Sequence, residues 1–187
     1  MPGLRVIGGS ARGRPLRLVP GEGTRPIGDR AKEALFGILG ADVESCAFLD
    51  LFAGTGSVGI EALSRGATAA VFVDKAAPAV RTVRENLATT GLVDRATVVQ
   101  RDSFAYLAQE PSIAFDYIYI APPQYHGMWL KALRALEDKP GWMGDDAWAI
   151  VQIDPHEDEA EGLARLERFD ERSYGQTKLV FYRQSAT

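Results

Sequence analysis

The 187-residue sequence predicts an α/β domain built on a largely parallel sheet with helices on both faces. Three observations carry that expectation. Apolar runs of strand length alternate with stretches of helical periodicity, the pattern of successive βαβ units. A glycine-rich turn, Gly54-Thr55-Gly56-Ser57-Val58-Gly59, joins one apolar run to a helical pattern. Such a turn lets backbone approach a ligand closely, because glycine has no Cβ and tolerates positive φ. Composition suits one modest globular domain: 46% of residues are hydrophobic and 25% charged, enough to bury a real core.

Taken in order, Arg5-Val6-Ile7-Gly8-Gly9 reads as a short strand and turn, and Arg12 to Leu18 as a second strand. Thr24 to Leu39 reads as a helix with a charged start. Its Ala31, Leu35, Ile38 and Leu39 recur at helical spacing and should face the core, with Gly40 as C-cap. Leu49 to Phe52, apolar around Asp50, resemble the last residues of a buried parallel strand. Ile60-Glu61-Ala62-Leu63 opens the next helix. Ala69 to Val73 forms a second core strand ending at Asp74, and Ala76 to Ala88 a helix. Ala96 to Gln100 makes a third strand, with Asp102-Ser103 as the turn after it. Asp116 to Ile120 is a fourth strand, followed by a helix near Gly127 to Leu136. Trp148 to Ile153 is a fifth, and Lys178 to Tyr182 a closing apolar strand. No internal repeat or low-complexity segment is visible.

Several functional classes drop out. No apolar run approaches the roughly 20 residues that span a bilayer, and the N-terminus lacks a signal-peptide core, so the expected location is cytoplasmic. The single Cys46 excludes an internal disulfide, and neither His126 nor His156 has a second histidine or cysteine at ligand spacing, so no metal is expected. The net charge of −4 argues against general coating of nucleic acid. The charge is uneven, however. The first 40 residues hold Arg5, Arg12, Arg14, Arg17, Arg25, Arg30 and Lys32 against Glu22, Asp29 and Glu33, and the remainder is acidic. A local phosphate-binding face on an acidic body would look like this. A solvated basic tail is the alternative, but the segment has structure signals of its own, and arginine beside glycine reaches phosphate without crowding.

Gly54, Gly56 and Gly59 match a dinucleotide fingerprint, and Asp74 falls about twenty residues on, where a ribose-binding acid is expected. S-adenosylmethionine makes the same demand of Asp74. Asp50 favours it, because a methionine ammonium needs a negative partner near the first strand's end whereas a pyrophosphate would be repelled there. In such a sheet ligands collect at the carboxyl ends of the strands. The candidate cofactor residues are therefore Asp50, Phe52, Ala53, Gly54, Thr55, Gly56, Asp74, Lys75, Asp102 and Ser103. The segment Ala121-Pro122-Pro123-Gln124-Tyr125 completes the rim. Its prolines lack N–H donors and fix φ, making a stiff lip. Its carbonyls can accept from an exocyclic amine, and Tyr125 can stack on a flat base for roughly 1–3 kcal/mol. A loop breaker with a surface tyrosine is the plainer alternative.

Three blocks, Arg5 to Arg14, Thr24 to Phe36 and Leu49 to Gly66, together with Asp74, Asn86 and the Pro-Pro lip, make the chain similar to the RsmD family over most of residues 4–185. That family of S-adenosylmethionine-dependent methyltransferases modifies the exocyclic N2 of a guanine in small-subunit ribosomal RNA. The resemblance implies a Rossmann-like class I fold with a seven-stranded, mostly parallel sheet. It also implies a division into a basic RNA-contacting extension (1–40, with Arg5, Arg12, Arg14, Arg25 and Arg30 on RNA) and a methyltransferase domain (41–187). The partner would be small-subunit rRNA or an assembling subunit, met by a monomer. One departure stands out. The family's motif is Asp-Pro-Pro followed at once by Tyr or Phe; here Ala121 replaces the acid and Gln124 precedes Tyr125. That acid orients the amine and stabilises developing charge. Three readings follow: an active enzyme that holds the base through the Ala121 and Pro122 carbonyls and Gln124, a different methylation target, or binding of RNA and cofactor with little turnover.

Overall fold

The structure, a computed structural model, describes residues 3–21, 26–159 and 161–186. Its centre is a seven-stranded sheet in the order β3-β2-β1-β4-β5-β7-β6. The strands are β1 (Ala47–Asp50), β2 (Ala69–Asp74), β3 (Ala96–Gln100), β4 (Phe115–Ile120), β5 (Met143–Ile153), β6 (Leu166–Tyr174) and β7 (Thr177–Gln184). β1 to β5 run parallel, and β7 enters antiparallel between β5 and β6. The order reverses between β1 and β4, which opens a crevice at their carboxyl ends.

Helices α1 (Asp29–Leu39), α2 (Ser57–Ser64) and α3 (Ala77–Thr90) cover one face. Leu35, Phe36, Ile60, Leu63 and Val83 pack there against Phe48, Phe72, Tyr117, Ile150 and Phe181. Helices α4 (Ser103–Leu107) and α5 (Met128–Asp138) cover the other, where Leu107, Trp129 and Leu133 meet Leu49, Ile118, Val151 and Val180. A parallel sheet needs apolar cover on both sides, which is why β1 and β4 read as nearly continuous hydrophobic runs.

The structure corrects several boundaries. α1 starts at Asp29 rather than Thr24, after Pro26, Ile27 and Gly28 run outside the helix; Thr24 and Arg25 lie outside the described residues. β1 ends at Asp50, so Leu51 and Phe52 already belong to the turn, although Leu51 N–H still reaches the Tyr119 carbonyl. Asp102-Ser103 begins a short helix, because the Asp102 carboxylate caps the Phe104 and Ala105 amides at 2.9 and 3.0 Å. β5 starts five residues before Trp148, past an irregularity in its pairing with β4.

The N-terminal pair of short strands reduces to one antiparallel bridge, Arg5 with Pro15, inside a hook over residues 4–16. The hook grips α2. Glu61 accepts from Ile7 N–H and Gly8 N–H, both at 2.9 Å, and Ser64 Oγ accepts from Ala11 N–H. At Gly9, with φ +82°, an added Cβ would stand 1.9 Å from the Ser64 carbonyl oxygen. Val6, Ala11 and Leu16 are buried in the same core as α1 and α2.

Candidate active site

A cavity of about 650 Å³ opens at the carboxyl ends of β1, β2, β4 and β5, within the usual range for small-ligand sites, roughly 300–1,000 Å³. The glycine turn forms one wall. Gly54 and Gly56 have φ of +55° and +80°, which other residues adopt only with strain. Gly59 serves packing instead: an added Cβ there would stand 2.4 Å from the Phe72 ring. Two glycines therefore shape the cradle and the third seats α2 on β2.

The predicted cofactor residues gather here. Asp50, Phe52, Ala53, Gly54, Thr55, Asp74, Lys75, Asp102 and Ser103 line the cavity, while Gly56 supports it from behind, against Val83. Asp74 Oδ2 accepts from Gly54 N–H and Oδ1 from Ala76 N–H, each at 2.9 Å, which locks its carboxylate at the rim. Asp50 is buried, and desolvation pushes its pKa up to about 8 despite a bond from Gly59 N–H. Ser103 Oγ donates to the Leu51 carbonyl at 2.5 Å, so its hydroxyl fastens α4 to the end of β1. Phe104 packs edge-on against Phe52, with ring centroids 5.8 Å apart, and Lys131 Nζ lies 4.2 Å from the Phe104 centroid.

The lip forms the opposite wall. Ala121, Pro122, Pro123 and Gln124 line the cavity, but Tyr125 stands outside the lining. It adopts φ +65°, and its N–H donates to Glu157 Oε1 at 2.6 Å. Its side chain bonds Asp154, whose carboxyl is held below the usual range chiefly by the His156 N–H. Tyr125 is 63% exposed and turned toward the short helical turn after β5 rather than over the cavity.

Several lining residues escaped the sequence reading: Pro26, Ile27, Phe104, Tyr119, His126, Met128 and Gln152. Two carried a legible signal. Tyr119 lies two positions before Ala121, hence on the same strand face, and Gln152 is a lone polar residue in the apolar end of β5.

Arg12, Arg14 and Arg30 are exposed; Arg5 ion-pairs with Asp29 at 3.3 Å; Arg25 lies outside the described residues. Lys32 is no surface cation. It is buried, bonds the Arg5 carbonyl at 2.6 Å and Ser57 Oγ at 2.9 Å, and approaches Glu61 to 3.4 Å. Burial lowers its pKa. Asn86 of α3 joins the basic segment to the glycine turn: its amide brackets the Arg17 N–H and carbonyl and also donates to the Thr55 carbonyl at 2.9 Å. Among the described residues no group of three His, Cys, Asp or Glu is placed to hold a metal, and no helix is long and apolar enough to cross a membrane.

Comparison with known proteins agrees with this geometry. The family described as conserved hypothetical protein 95 matches residues 4–183. Over 183 residues the chain is 37% identical to YlbH of Bacillus subtilis, covering 97% of this chain and 99% of that one. It is 32% identical to ribosomal RNA small subunit methyltransferase D of Escherichia coli, covering 98% and 91%. Among solved structures, yhhF of Escherichia coli superposes with a TM-score of 0.87 at 31% identity, with both chains fully covered.

Proposed function

This chain belongs to the family described as conserved hypothetical protein 95, the RsmD family, and from that premise we propose that it methylates the exocyclic N2 of a guanine in small-subunit rRNA, using S-adenosylmethionine. The observation that carries this reading is the joint cavity: a glycine cradle with its rim acid on one side and a proline lip on the other, across one switch point.

The residues present fit the cofactor. Asp74, held by two backbone amides, offers its remaining lone pairs to ribose hydroxyls. Asp50 is a buried carboxyl that gains from a cationic neighbour such as an amino-acid ammonium. Phe52 and Phe104 give an apolar flank for a flat ring, beside the first turn of α4. When bound, the cofactor supplies a methyl group on a sulfonium, already activated toward an amine. The protein's own task is placement. The Ala121 and Pro122 carbonyls accept from the amine, the prolines keep that lip rigid, and holding the reacting atoms in line supplies most of the rate.

The segment 1–40 acts as the RNA-contacting extension, with Arg5, Arg12, Arg14, Arg25 and Arg30 on phosphates. Pro26 and Ile27 connect that segment to the cavity wall. The protein works in the cytoplasm as a monomer, without a metal. The test is tritium-methyl transfer to undermethylated small-subunit rRNA, free and in assembled subunits, followed by identification of the labelled atom. Label on guanine N2 is expected; label elsewhere overturns the assignment. Ala121 in place of an acid favours one alternative, a binder with little turnover, which would bind cofactor and RNA but leave no label.

A further inference from the structure

The lip side of the cavity contains a polar pair to which the methyl-transfer reading assigns no role. Asp50 of β1 pairs in register with Tyr119 of β4, and Tyr119 with Ile150 of β5. Ile120 pairs with Val151, so one step further along the ladder Ala121 falls beside Gln152. Side chains two apart on a strand share a face. Gln152 therefore emerges next to the Ala121 methyl, where a longer side chain at 121 would otherwise supply polarity. Both Tyr119 and Gln152 line the cavity, and the Tyr119 hydroxyl donates to Gln152 Oε1. Burial, with the Asp50 carboxyl nearby, keeps that hydroxyl protonated and able to donate.

An amide has an acceptor end and a donor end, and a donating hydroxyl fixes which end is which. Gln152 Oε1 is held at Tyr119 with a second lone pair to spare, and its NH2 points away from that bond. A guanine whose N2 meets the Ala121 and Pro122 carbonyls presents N1–H and O6 along the same edge. The amide matches that edge, with Oε1 accepting from N1–H and the NH2 donating to O6. Adenine offers the reverse order and would require the amide to turn over, losing the Tyr119 bond.

We propose that Gln152, oriented by Tyr119, is the specificity-determining residue that reads the N1–H and O6 edge of the target guanine. This rests on the guanine reading given under Proposed function. Tyr119 is a positioning residue: it acts through Gln152.

The test replaces the labelled guanine in the rRNA by 2-aminopurine, which keeps the N2 amine but lacks O6 and the N1 proton. Both kcat/KM and RNA Kd are measured for parent and variants. The parent should favour guanine by about 10- to 100-fold, the factor a good bidentate base contact supplies. In Gln152→Leu that preference should collapse toward one, with cofactor affinity and Tm near parental values. Tyr119→Phe should give an intermediate preference. Because 2-aminopurine also changes the amine's intrinsic reactivity, the change in preference between parent and variant carries the answer. An unchanged preference in Gln152→Leu overturns the proposal. If that variant fails to fold, the similarly shaped Gln152→Met decides, since a thioether cannot both accept from N1–H and donate to O6 and must also erode the preference; a parental ratio there overturns the proposal equally. Failure of the parent to label any guanine would instead sink the functional reading beneath it.

Discussion

Asp50 carries a stability cost at the position where we propose that it meets the cofactor's ammonium. Its carboxyl is fully enclosed at the end of β1, and desolvation raises its pKa to about 8. An acid whose folded pKa lies above its unfolded value binds more protons when folded, so stability falls as pH rises between the two. Below about pH 4 both states are protonated and the group contributes nothing. Between there and about pH 8 the penalty grows, and above that it is constant at a few kcal/mol. Asp50→Asn should therefore melt higher than the parent at pH 9 and close to it at pH 4. On the proposed role of Asp50, the same substitution should weaken S-adenosylmethionine binding, because a neutral amide attracts an ammonium less than a carboxylate does. Urea denaturation at the two pH values and calorimetric titration check both halves. A parallel pH dependence in parent and variant would mean that Asp50 is not the titrating group.

At the scale of elements, the N-terminal hook and α2 behave as one unit through the buried Glu61. Its carboxylate receives the Ile7 and Gly8 amides, Lys32 Nζ and Arg65 Nε, the last at 2.8 Å. Removing one partner of a buried ion pair strands the others without water, an effect of about 3–5 kcal/mol. Glu61→Ala should lose on that order in urea melts, and limited proteolysis should cut first within residues 7–13. The hook also presents Arg12 and Arg14 to solvent. Reversing both charges should weaken RNA binding and flatten its salt dependence, by about 0.9 in the slope of log K against log salt for each duplex phosphate that is no longer neutralised. Cofactor affinity should not change. Equal RNA affinity at low and high salt for parent and variant would reduce the segment to a solvated arm.

At the scale of the whole molecule, an ionic network ties the loop after β5 to the β6–β7 hairpin. Arg168 grips Asp158 with both terminal nitrogens at 2.9 and 2.7 Å, and Lys178 joins the same carboxylate. The Arg168 bond, above all, lowers the Asp158 pKa to about 2. A depressed acid stabilises above its unfolded pKa, near 4, and loses that contribution as pH falls toward 2. Asp158→Asn should consequently be less stable than the parent at pH 7, close the gap between about pH 4 and 2, and converge with it only below about pH 2, as followed by thermal melts; a constant gap would contradict the assignment. Much of this architecture was legible in the chain. Residues 49–63 specify strand, turn and helix because apolar runs, glycines and helical period act over a few neighbours, and β3 falls on its expected span, Ala96–Gln100. β6 escaped notice because its Leu166–Tyr174 stretch is charged along much of its length and becomes a strand only by pairing with β7. Tyr125 turning toward Asp154 and Glu157, the Tyr119–Gln152 pair and the Glu61 cluster were equally invisible. Each joins groups some thirty or more residues apart in sequence. Local periodicity sets an element's span and buried face, but only the packed sheet decides which distant polar group that face will meet.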